Sequence, residues 1–201
     1  MINPTKKFIT PEEYLALEEK ADHKSEYYNG EIFAMSGASN NHNLITGNVH
    51  AALHQLLAKR PCRTYVSDMR LLTSPKGLYT YPDVMVVCGK IEFAPNRNDT
   101  VMNPSVLVEV LSDSTQAYDR GEKFALYRKI VTLQEYIMID QNKPSVEHYR
   151  REGHFWVLEA LETMDAILTL PSIGCEIPLA VMYEKVEWET DQANSDVNLN
   201  Q

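Results

Sequence analysis

"PSVLVEVLS", residues 104–112, is apolar along nearly its whole length, with one charge, Glu109, near its middle. In an extended strand successive side chains point to opposite faces, so Val106, Val108 and Val110 share one face and Leu107, Glu109 and Leu111 the other. A strand apolar on both faces belongs in a sheet covered on both sides. That makes Glu109 a carboxylate between two leucines. Such a charge costs several kcal/mol unless it finds a cation, a hydrogen-bond donor, a metal or a proton.

A second strand raises the same question. In "TYPDVMVVCG", residues 80–89, Asp83 follows a proline and opens an apolar run over 83–88. The run "EYIMID" at 135–140 reads as a third such strand, and "RTYVSDMRLLT" as a strand over roughly 62–73. Between them, "DRGEKFALYRKI" at 119–130 reads as a helix with Asp119 as N-cap and Glu122 in the capping-box position. Upstream, Leu44, Ile45, Val49, Ala52, Leu53, Leu56 and Leu57 form the apolar stripe of a core helix that starts at Ser39 or Asn40 and stops before Pro61.

The ends of the chain are also patterned. Thr10, Pro11 and Glu13 carry the signature of a helix start, giving a short helix over 11–20. Asn29-Gly30 predicts a hairpin across 25–36. Residues 145–160 form a further hairpin turning near Arg151–Gly153, followed by strands at 166–170 and near 176–183. These apolar C-terminal strands suit either completion of the core or the interface of a homodimer. The polar tail 191–201 has almost nothing to bury and is expected to be disordered. The order helix, three strands, helix, strand describes an α/β or α+β sheet flanked by helices, in a single domain over 1–190 with added N- and C-terminal hairpins.

Bulk properties narrow the function classes. The 201 residues carry a net charge of -9, so the chain as a whole repels nucleic acid. Local basic groups at Lys59, Arg60 and Arg63, at Arg128 and Lys129, and at Arg150 and Arg151 leave room for a positive groove. No apolar run approaches the roughly 18 residues that span a bilayer, and the start has no signal-peptide pattern, which places the chain in the cytoplasm with no membrane partner. Cys62, Cys88 and Cys175 are few and far apart, so they are expected to be unpaired and buried. His50 and His54 have helical zinc-pair spacing, yet Ala51 stands where a metalloprotease needs Glu.

Asp83 and Glu109 on neighbouring strands offer the hard oxygen pair that Mg²⁺ or Mn²⁺ prefers. Asp119, Lys123 and Tyr127 are spaced to share one helix face, from which Lys123 could meet the carboxylates, with Glu26 contributing from the first hairpin. The simpler readings are that Asp83 caps a turn, that Asp119 is only an N-cap, and that Lys123 is a surface lysine beside a core tyrosine. His42 fits a capping or packing role as well as one near the sheet.

Taken together, "SEYYNGEIFAMSGASNNH", "YPDVMVV", "NPSVLVEVLSDST", "DRGEKFALYRKIVTLQEYIMID" and "SVEHYR" resemble the Uma-type family of predicted endonucleases, within the PD-(D/E)XK restriction-endonuclease-like superfamily. The resemblance covers roughly residues 8 to 183. It implies a restriction-endonuclease-like core and a divalent metal held by Asp83, Glu109 and the backbone carbonyl near Val110. The usual lysine two positions after the glutamate is absent, since that position is Leu111, and Lys123 matches the family's substitute. The expected activity is metal-dependent hydrolysis of DNA, with Asp83, Glu109, Lys123 and Glu26 as the site. The alternative is a non-cleaving nucleic-acid-binding or protein-interaction module on the same fold; a glycosidase using the two carboxylates is the weaker third reading.

Overall fold

The computed structural model describes residues 8–74 and 77–188; the tail expected at 191–201 lies outside them. Helix α1 (Pro11–Glu18) starts as its sequence directs. The Thr10 hydroxyl accepts from the Glu13 amide and the Glu13 carboxylate accepts from the Thr10 amide, closing the capping box. Strands β1 (Ser25–Tyr28) and β2 (Glu31–Ala34) form the expected hairpin, with Asn29 and Gly30 at φ 47° and 87°. Two successive positive φ angles suit Asn-Gly and are strained for most other pairs.

Helix α2 (Asn40–Leu57) begins at the Ser39 cap and buries Ile45, Thr46, Val49, Leu53 and Leu57. It is followed by β3 (Cys62–Val66), β4 (Arg70–Leu72), β5 (Tyr79–Thr80), β6 (Val84–Cys88), β7 (Thr100–Val101) and β8 (Val106–Leu111). The single strand expected over 62–73 is thus two. Ser67 takes a φ of 36°, and beyond that break β4 leaves β3's sheet to join the one built on β1 and β2. β5 and β7, each two residues long, carry too few side chains to show a period.

After β8 the chain forms α3 (Gln116–Tyr118), a π-helical turn over Asp119–Lys123, and α4 (Phe124–Tyr127). Asp119 is therefore inside the helical segment and not its N-cap. The π turn buries both Asp119 and Lys123, and such turns recur at functional sites because they re-aim side chains that an α-helix would place elsewhere. The chain continues through β9 (Glu135–Asp140), β10 (Val146–Glu152), β11 (Phe155–Leu161), β12 (Ile167–Leu170) and β13 (Cys175–Pro178). The strand expected to reach residue 183 ends at 178, where α5 (Leu179–Met182) begins.

The central sheet has the order β11-β10-β9-β8-β6-β3, and a second sheet has the order β2-β1-β5-β4-β7. β8 and β9 run parallel, and the helical segment between them provides the crossover. The two-faced reading of β8 holds. Val106, Val108 and Val110 pack with α2, while Leu107 and Leu111 pack with Tyr127, Ile130 and Leu133 on the other side. Leu168, Leu170, Ile177 and Met182 join the α2 side, so the C-terminal strands complete the core. The fold is α+β with a restriction-endonuclease-like core. No helix among the described residues is long and apolar enough to cross a membrane.

The expectation for the cysteines is half wrong. Cys62 and Cys88 face each other across β3 and β6, with Cα atoms 4.0 Å apart, and form a disulfide. Cys175 is free and buried.

Candidate active site

The expected site residues converge from four parts of the chain. Glu109 on β8 is 4% exposed, and its Oε1 lies 3.0 Å from the Lys123 ammonium. The Tyr127 hydroxyl donates to the same oxygen at 2.7 Å. The leucine flanks of Glu109 called for a compensating group, and the π turn with α4 supplies two. Lys123 is itself 6% exposed and lies 3.2 Å from Glu26 Oε1 and 3.4 Å from Asp119 Oδ1. Neither bland reading of this helix face survives, since Lys123 is no surface lysine and Asp119 is no N-cap.

Glu26 arrives from β1 and is held by the Thr80 hydroxyl, which donates to its Oε1. Thr80 was not anticipated as a site residue. Its only signal was a hydroxyl three positions before Asp83, at the end of a strand too short to read. Asp83 stands at the mouth of β6 and accepts a hydrogen bond from the Val110 amide at 2.8 Å. That bond ties the start of one strand to the residue after Glu109, so Asp83 does more than cap a turn.

His42 also enters the site. Its Nε2 is 3.2 Å from Asp83 Oδ2, and the Val110 backbone adds to the pull that favours its protonated form. The position of His42 in the first turn of α2 is set by a relay. Its amide donates to the Ser39 hydroxyl at 3.1 Å, Ser39 donates to the Gln141 side-chain oxygen, and the Gln141 amide group donates to the Leu111 carbonyl at 2.9 Å.

Carboxylates outnumber cations in this cluster. The Glu109 carboxyl is raised to about 8, chiefly by burial; Lys123 opposes the rise, and Asp83 and Asp119 add to it. Burial likewise raises Asp119, against the pull of Lys123. Burial alone would lower Lys123, but Glu109, Tyr127, Glu26 and Asp119 hold its ammonium well above the ordinary range, so it stays charged. For His42, burial disfavours the charge, but the hydrogen bond and charge of Asp83, with smaller pulls from the Val110 backbone and Asp119, together outweigh it and give a net rise. The site is a largely buried cluster with more acidic than basic groups. Among the described residues no three His, Cys, Asp or Glu side chains are already arranged around one point as metal ligands.

The family model Uma2, described as "Putative restriction endonuclease", matches residues 11–181. The chain belongs to this family. Two relatives from Synechocystis sp. (strain PCC 6803) span most of it: the uncharacterized protein sll1609 is 44% identical over 162 residues, covering 80% of this chain and 92% of that one. The uncharacterized protein slr1290 is 35% identical over 178 residues, covering 87% and 91%. A crystal structure of a putative nuclease of DUF820 from Anabaena variabilis superposes on this Uma2 chain with a TM-score of 0.74 at 21% identity, over 89% of this chain and 99% of that chain. At that identity the likeness carries the fold. Leu111 is buried in the apolar layer with Tyr127 and Leu133.

Proposed function

We propose that this Uma2 protein is a divalent-metal-dependent endonuclease that hydrolyses DNA phosphodiester bonds. One observation carries the reading: the Lys123 ammonium, delivered from the π turn, lies 3.0 Å from Glu109, on the strand whose Val110 amide holds Asp83. A carboxylate pair and one lysine are thereby grouped although position 111 carries no charge.

The donor set fits Mg²⁺ or Mn²⁺. Glu26, Glu109 and Asp119 all contact Lys123, and Asp83 adds its charge to the field at Glu109. A hard divalent cation would offset that surplus. Asp83, Glu109 and the Val110 carbonyl are the groups that would hold it. Bound there, a metal polarises a phosphate and lowers the pKa of a water. Lys123 places its positive charge where negative charge develops on the phosphate oxygens. Glu26 and Asp119 restrain the lysine, and the Tyr127 hydroxyl fixes the Glu109 rotamer.

The same pairing favours a second reading. Glu109 Oε1 is already engaged by both Lys123 and Tyr127, as in a non-cleaving module whose buried ion pair is structural. Two measurements separate the readings. Supercoiled plasmid incubated with purified protein and Mg²⁺ or Mn²⁺ is expected to be nicked, and the Asp83→Ala variant, purified in parallel, to leave it intact. Equal cutting by both preparations identifies a contaminant and refutes the enzyme. Calorimetric titration with Mn²⁺ gives uptake for the nuclease and none for a structural ion pair.

A further inference from the structure

We infer that His42 is a nitrogen ligand of the same cation and tunes the site toward Mn²⁺ over Mg²⁺. The inference rests on the metal-dependent reading above. Neither the position of His42 in sequence nor the spacing of the carboxylates assigns it this role; the tertiary contacts do.

The imidazole shares its neighbours with the proposed ion. Nε2 sits 3.2 Å from Asp83 Oδ2, and the Val110 amide donates to the same oxygen at 2.8 Å, so one of the three oxygen sources proposed for the metal touches this side chain and is tied to the backbone of a second. Glu109, by contrast, faces Lys123 and Tyr127. What the structure brings together is therefore Asp83 and His42, with the Val110 backbone beside them and Glu109 adjoining.

The ring is also supported as a ligand should be. The Ser39 hydroxyl caps the turn that carries His42, and the relay through Gln141 to the Leu111 carbonyl fixes that turn to the end of β8. This anchoring acts through the His42 backbone amide and so restricts where the ring can reach. An all-oxygen site suits Mg²⁺ and Mn²⁺ alike. One imidazole shifts the balance, because nitrogen donors favour first-row transition ions over Mg²⁺.

Pulsed electron paramagnetic resonance on the Mn²⁺-loaded full chain tests this directly. Wild-type protein is expected to show ¹⁴N modulation on the Mn²⁺ signal, and protein labelled with ¹⁵N-histidine to lose it in favour of ¹⁵N, a comparison that needs no mutation. Calorimetry with Mn²⁺ and Mg²⁺ separately is expected to show His42→Ala weakening Mn²⁺ binding by about 10-fold or more, with a smaller change for Mg²⁺. Mn²⁺ bound in the wild type and lost in Asp83→Ala, but without nitrogen modulation, overturns the role of His42 and leaves the metal site standing. Tighter Mn²⁺ binding by His42→Ala also overturns it, since the ring would then be a plug in the ion's place. No Mn²⁺ uptake by the wild type overturns both readings together.

Discussion

Replacing Lys123 by Met removes the one ammonium among three carboxylates while keeping a side chain of similar length. The wild-type lysine is 6% exposed and lies 3.0, 3.2 and 3.4 Å from Glu109, Glu26 and Asp119. Met fills most of the vacated volume, so the cavity contribution is small. What remains is the loss of one partner from a buried ionic cluster, which costs about 3 to 5 kcal/mol. For a domain of this size that corresponds to a fall in melting temperature of roughly 6 to 20 °C. The sign of the pH dependence follows from which state binds protons. Without the ammonium, the folded pKa of Glu109, already raised to about 8, goes higher still, while in the unfolded chain it stays near its ordinary value. The folded variant then holds more protons than the unfolded one, so its stability falls as pH rises above the ordinary carboxylate range. The wild type loses the same contribution until its own Glu109 titrates near 8, so the deficit opens as pH rises through about 8 and is larger at pH 9 than at pH 5. Thermal unfolding followed by circular dichroism across this range measures it, and adding Glu109→Gln to Lys123→Met should restore part of the loss. A melting change under about 2 °C with no pH dependence would refute the buried ionic cluster, because an exposed pair is worth about 1 kcal/mol or less.

Three further outcomes are expected. Reduction of Cys62–Cys88, or replacement of both by Ser, frees a loop spanning 26 residues and costs about 3.5 kcal/mol by loop-closure entropy; an unchanged melt with and without reductant shows that the bond is not formed. His148 and Glu135 are both fully buried and joined at 2.7 Å, with Ser172 donating to the same carboxylate. His148→Leu should lower stability by about 3 kcal/mol in urea unfolding, and Glu135→Gln on that background should recover part of it; additive losses sink the coupling. The Arg97 guanidinium holds Asp99 at about 2, below its ordinary 3.8, so this carboxylate stabilises the fold above pH 4 and loses that contribution as pH falls toward 2. Asp99 is 43% exposed, so the effect is screened to about 1 kcal/mol or less; Asp99→Asn should flatten the acid limb of stability between pH 4 and 2, and an unaltered limb argues against the pair.

Much of the frame was legible in local pattern because its causes are local. The Thr10 capping box, the Asn29-Gly30 turn, the α2 stripe and the two faces of β8 each depend on residues a few positions apart, and they stand as read except that Leu56 of the stripe is 45% exposed. Glu109 could be singled out for the same reason, since its own neighbours make it anomalous. The misreadings have equally physical sources. Ser67 breaks a strand by one backbone angle, with no glycine or proline to announce it. The π turn keeps the composition of an α-helix, so nothing in "DRGEK" signals the wider turn that makes Asp119 a site residue.

The sequence alone determined that a carboxylate would be buried in an apolar strand and that something must compensate it, because burial and charge are properties of the strand itself. Which group answers was decided by tertiary structure. Lys123 and Tyr127 meet Glu109, Glu26 meets Lys123 and Thr80 holds Glu26, and nothing in their spacing encodes the distances between them. The same holds for His42 beside Asp83 and for Cys62 against Cys88, 26 residues apart in sequence and opposite each other only once β3 pairs with β6. Local periodicity specifies which face a residue occupies; the partners it finds there depend on how distant faces pack.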